Sequence, residues 1–121
     1  MDVHAWDTPV EATWHKANKL VEVSTGLEEL IVRLAEEKTD RIWSLQFSDV
    51  RAFKLYTEDC AQWSKQPLPP EGGFFKITGS PWFDALGLGE SDPDSPESST
   101  HYVICCSEGI VEVAAHSCAF N

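Results

Sequence analysis

His101, His116 and Cys118 have the residue types best suited to chemistry in this chain. Two imidazoles and a thiolate can hold zinc and leave a fourth position open. Their placement depends on a hairpin. Residues 102–106 and 110–114 are apolar runs flanking Ser107-Glu108-Gly109, and a glycine there is read as supplying positive φ. With Glu108-Gly109 as a two-residue turn, Cys106 faces Val111, Ile104 faces Val113, Tyr102 faces Ala115, Cys105 faces Glu112 and His101 faces His116. Cys118 then lies two residues further along the His116 face. The plainer reading of the three is polar residues at a fraying sheet margin, so no cofactor is expected.

Other constellations fall short of a mechanism. Cys105-Cys106 suggests a nucleophile or redox pair, but a reactive thiol needs nearby positive charge, and this neighbourhood is acidic and apolar. Asp92 with Asp94, and Glu36 with Glu37, sit in polar stretches where nothing raises a carboxyl pKa for acid–base work. Asp92-Pro93-Asp94 lacks the spacing of a calcium loop. Pro67-Leu68-Pro69-Pro70 has the proline spacing read by polyproline-binding grooves, yet fits a turn better. Gly72-Gly73 and Gly87-Leu88-Gly89 lack the lysine and long helix of a phosphate loop. An enzyme is the least favoured class.

Charge excludes partners more sharply. The chain has 121 residues and a net charge of −11. Residues 77–121 contain no Lys or Arg and carry −7; residues 1–76 carry −4. Such a balance argues against nucleic acid and anionic membranes and suits a basic protein partner. The four cysteines, Cys60, Cys105, Cys106 and Cys118, form no C-x-x-C pair. Met1-Asp2-Val3-His4 has no basic or apolar leader character and no apolar run is long enough to span a bilayer, which together predict a cytoplasmic protein.

The elements that would position these residues follow from periodicity. Thr8 as cap, Pro9 in the first turn, and Trp14, Ala17, Leu20 and Val21 at helical spacing predict a helix over about 10–22. Residues 27–38 fit two patterns. Leu27, Leu30, Ile31 and Leu34 make a helical stripe, with Thr25 and Glu28 at capping-box spacing, but residues 30–34 are also a compact apolar run suited to a strand. Trp43, Leu45 and Phe47 alternate with polar residues as in a half-buried strand, which continues to Leu55 after a phase change near Ser48-Asp49 that a bulge would explain. Residues 67–73 read as a turn and 74–78 as a short strand. Ser80 caps a short helix near 81–86, with Pro81 first, Asp84 in the first turn, and Gly87 and Gly89 ending it. Residues 90–100 contain no apolar side chain and read as a mobile acidic loop.

Trp43–Phe53 (W-S-L-Q-F-S-D-V-R-A-F), G-S-P-W at 79–82, H-Y-V-I at 101–104 and E-V-A-A at 112–115 resemble a pattern in small bacterial proteins, some similar to immunity proteins of polymorphic toxin systems. The resemblance covers roughly residues 29–116. It implies an α+β fold with an antiparallel sheet, tips residues 29–35 toward a strand, and carries over no active site.

The expected architecture is therefore one α+β domain over 1–121, with an N-terminal helix, a short helix near 81–86 and a C-terminal hairpin. The expected function is non-catalytic protein binding, immunity-like or scaffolding. Trp63, in a polar stretch, and the loop acids Glu90, Asp92, Asp94 and Glu97 are the candidate partner contacts. The alternative is a small-ligand or metal-binding domain using the His101/His116 end of the hairpin. An uncovered sheet edge would also permit a homodimer.

Overall fold

The computed structural model describes residues 1–10, 18–57, 73–88, 98–107 and 109–121. Seven strands form one antiparallel sheet: β1 (Asp2–Ala5), β2 (Asn18–Thr25), β3 (Glu29–Glu36), β4 (Ile42–Tyr56), β5 (Phe74–Thr78), β6 (Thr100–Cys105) and β7 (Ile110–Phe120). Their order across the sheet is β1-β5-β6-β7-β4-β3-β2. The one described helix, α1 (Pro81–Leu86), is six residues long. With 64% of the described residues in strands and 7% helical, the expected α+β class and its N-terminal helix are corrected to a mostly-strand antiparallel sheet.

Of the residues behind the predicted helix, Leu20 and Val21 are described, and both lie in β2, at a bulge. Leu20 pairs with Leu34 and Glu22 with Arg33, so β2 carries one extra residue against β3. Its inward side chains Leu20 and Val23 therefore fall three apart, the spacing of a helix face, while Val21 is pushed to the exterior. Residues 18–22 are strand; residues 11–17, which include Trp14, lie outside the described residues. The ambiguous 27–38 segment is a strand over Glu29–Glu36, and Glu28, rather than capping a helix, sits in the β2–β3 turn at φ 61.

The main core covers one face. Leu30, Val32 and Leu34 pack with Trp43, Leu45, Phe47, Tyr102, Ile104, Val111 and Val113. β1 and β2 occupy opposite edges, and Trp6 and Val10, which follow β1, lie on this core. The Trp6 ring contacts Phe47, Phe74, Tyr102 and Phe120, which come from four strands. Aromatic rings bring large areas per residue, so this one side chain joins strands that are remote in sequence. The opposite face holds a smaller cluster of Phe75, Ile77, Val103, Cys105 and Ile110.

The phase change expected near Ser48-Asp49 is present. Asp49 has φ 53, and β4 shifts register against β7 between Val50 and Ala52. The C-terminal hairpin keeps the expected faces but not the expected register. Cys105 pairs with Ile110, Val103 with Glu112, Tyr102 with Val113 and His101 with Ala114, a slip of two residues from a two-residue turn. A slip of two preserves the side of every residue, whereas a slip of one would have inverted them. Gly109 is not in a positive-φ conformation; a Cβ there would lie 2.9 Å from the Tyr56 carbonyl oxygen, so it is the close approach of β4 that requires glycine.

Candidate functional site

The register slip puts Ala114 rather than His116 opposite His101, and Cys118 lies on the other face of the sheet. His101 points to the smaller-core side, where its ring meets α1. His116 donates from Nδ1 to the Ser98 carbonyl oxygen at 3.0 Å. Cys118 borders the main core, where burial pushes its thiol up to about 12 despite the opposing charge of Lys76. Among the described residues, no three His, Cys, Asp or Glu side chains are grouped to hold a metal. Trp63, Glu90, Asp92, Asp94 and Glu97 lie outside the described residues. So does most of the predicted acidic loop; at its end Ser98 is buried and Thr100 already belongs to β6.

His101 instead centres a buried network that no spacing in the sequence announces. Its Nδ1 lies 2.8 Å from Ser80 Oγ and its Nε2 lies 2.5 Å from Glu112 Oε1. Ser80 caps α1 as expected, accepting from Phe83 N–H at 3.3 Å. One donor chain satisfies the set: Phe83 N–H to Ser80, Ser80 O–H to His101 Nδ1, and His101 Nε2–H to Glu112. The second Glu112 oxygen accepts from the Tyr56 hydroxyl and lies 3.4 Å from Lys54 Nζ. Burial alone raises the Glu112 pKa, but hydrogen bonds from His101 and Tyr56, with the electrostatic pull of His101 and Lys54, hold it below the ordinary carboxylate range.

Serine, histidine and glutamate joined in this order are the components of a nucleophilic relay. Their surroundings suit a structural clamp better. Ser80, His101 and Glu112 are all nine-tenths or more buried, at 5%, 3% and 2% exposure. Phe83 stacks on the imidazole at 5.3 Å, and Trp82 meets it edge-on at 5.0 Å. The Ser80 oxygen already serves as the helix cap. The network fastens α1 to β6 and β7, and Lys54 lies over the Trp82 ring at 4.6 Å, closing the flank.

A second feature is open to solvent. β3 starts at Glu29, which pairs with Ser48, so the second half of β4 runs on beyond it. Among the described residues, no strand lies beside residues 51–55 on the side away from β7. The corner between this edge and the β2–β3 turn is a cleft of about 330 Å³ lined by Thr25, Gly26, Glu28, Glu29, Val50, Arg51, Ala52 and Phe53. Its shape follows from the bulge, which kinks β4, and from the Val50 N–H bonding the Glu28 carbonyl at 3.0 Å. Phe53 is 42% and Leu55 52% exposed, on a strand whose first half is buried on the same pattern. The alternation of 43–55 was legible in the sequence; that β3 would stop short of its second half was not.

Comparison of the chain with protein-family models, with curated proteins and with solved structures finds no match. Among the described residues no helix is long and apolar enough to cross a membrane.

Proposed function

We propose that this protein is a non-catalytic binding module for a basic protein partner, engaged through the cleft between the β2–β3 turn and the open stretch of β4. The observation that carries this reading is the exposure of Phe53, which lines the cleft with Glu28 and Glu29, and of Leu55 two residues further along β4. Exposed large apolar side chains grouped beside charged ones have the composition of an interface. Two exposed acids, Glu28 and Glu29, line the cleft against one base, Arg51. The chain's net charge of −11 would steer a cationic protein toward it. A partner-neutralising role of the immunity type is the form of this reading that the sequence resemblance implies.

The test is affinity capture at low salt from the source cells, with the retained protein identified by mass spectrometry. A basic protein should be retained by the wild type, be released as salt screens the charges, and be lost with Phe53→Ser/Leu55→Ser, whose exposed positions leave the fold intact by circular dichroism. Retention of the same proteins by both forms, or of none, would refute the reading.

A further inference from the structure

Resting on that reading, we propose that the partner docks by strand addition: an extended segment with apolar residues at alternate positions and a Lys or Arg at its end pairs with residues 51–55 of β4. The sheet already holds the place. A strand laid there occupies the position that β3 leaves at Glu29, and its end meets the β2–β3 turn. Main-chain bonding to such an edge supplies affinity, while alternate side chains supply selectivity.

The other two edges are protected against this use. β1 is four residues long, and β2 carries a bulge between Leu20 and Glu22. Short edges and bulges are the common devices that prevent pairing. Arg51 is the extra residue of the β4 irregularity; past it, residues 52–55 pair in regular register with Ala114, Val113, Glu112 and Val111 on the other side. Five residues extend about 17 Å, enough for a short strand.

The pattern of the guest follows from the host. Phe53 and Leu55 share the face of Val113 and Val111, so alternate guest residues beside them are apolar. Lys54 lies on the other face with its ammonium engaged by Glu112 and Trp82, so the guest residue beside it is small or polar. At the turn, Glu28 and Glu29 favour a cationic end. A second copy of this chain is the disfavoured occupant, because both copies carry −11.

Three synthetic octapeptides test this against the full chain. The first alternates Val and Thr with Lys-Arg at both ends, the second replaces the basic ends with Glu-Glu, and the third N-methylates alternate residues of the first. Fluorescence anisotropy gives affinity, and hydrogen exchange gives the site. The basic peptide should bind and protect amides in 51–55; the acidic peptide should bind about tenfold more weakly, two exposed charge pairs being reversed. The N-methylated peptide should not bind. Glu28→Lys/Glu29→Lys should reverse the preference between the first two. Equal binding of the N-methylated peptide, protection at 2–5 or 18–25 instead, or protection of 51–55 that grows with protein concentration alone would overturn the proposal. Failure of all peptides, with capture of a basic partner still dependent on Phe53 and Leu55, would overturn strand addition and leave the binding reading standing.

Discussion

Replacing Glu112 by Gln should be among the most damaging single changes of one atom type in this molecule. The side chain is 2% exposed and receives Tyr56, His101 and, at longer range, Lys54. Gln keeps the shape but offers one acceptor oxygen where the carboxylate offers two, and it turns an NH₂ toward a donor. Two charge-assisted hydrogen bonds become one neutral bond and one mismatch. Hydrogen bonds to a buried charged group contribute about 1.5–3 kcal/mol each, and two are lost or weakened here. Lys54 is 42% exposed and can turn to water, which lowers the expected loss to about 3 kcal/mol. For a chain of this length that is a fall in Tm of about 12 °C, taking ~2.1 cal/mol/K per residue for the unfolding entropy. The control is Glu22→Gln, which removes the exposed ion pair to Arg33 and should cost under about 1 kcal/mol. The pH dependence has a definite sign. The folded-state pKa of Glu112 is lowered, so its contribution is complete above the unfolded carboxylate value and lost as pH falls through the folded one. The difference between wild type and Glu112→Gln should therefore be full at pH 7 and begin to shrink only as pH falls past the ordinary carboxylate value of about 4.3. Differential scanning calorimetry at pH 7 decides the matter. A loss no larger than that of Glu22→Gln would refute the assignment of Glu112 as a buried, charged anchor.

Further outcomes follow from single contacts. Ser80→Ala removes both the α1 cap and the His101 partner and should cost about 1–2 kcal/mol in chemical denaturation, with Ser80→Thr recovering part of it. Gly109→Ala puts a Cβ 2.9 Å from the Tyr56 carbonyl and should cost about 1–3 kcal/mol, measured as a lowered denaturation midpoint. Cys118, pushed up to about 12, should alkylate with iodoacetamide at pH 8 roughly a thousandfold more slowly than a free thiol, read site by site by mass spectrometry.

Several features of this protein were written in local sequence. Ser80, Pro81, Asp84 and Gly87 specify the start and end of α1, because capping is a matter of a few adjacent backbone groups. The alternation of Trp43, Leu45 and Phe47 specified a strand and its buried side, since side chains on a strand repeat every two residues. The hairpin's inner face, with Ile104, Val111 and Val113, was legible for the same reason. The phase change near Ser48-Asp49 was legible too, but the register across the hairpin turn was not. The slip of two that separates His101 from His116 preserves the apolar pattern, so the pattern could not detect it. Leu20 and Val21 fitted a helical spacing in one dimension, and their place in a strand is set by β3 lying beside them. The same holds for function. His101, Glu112, Tyr56 and Lys54 are distant or unremarkable in sequence, and Glu112 read as an isolated acid within an apolar strand. Only the pairing of β6, β7 and β4, with α1 laid across them, made these residues neighbours. The sequence determined which faces would be apolar and how acidic the molecule would be, because those are properties of residue types. The tertiary structure decided which polar groups meet and where, among the described residues, β3 stops short of β4, because those depend on registers set by contacts between distant parts of the chain.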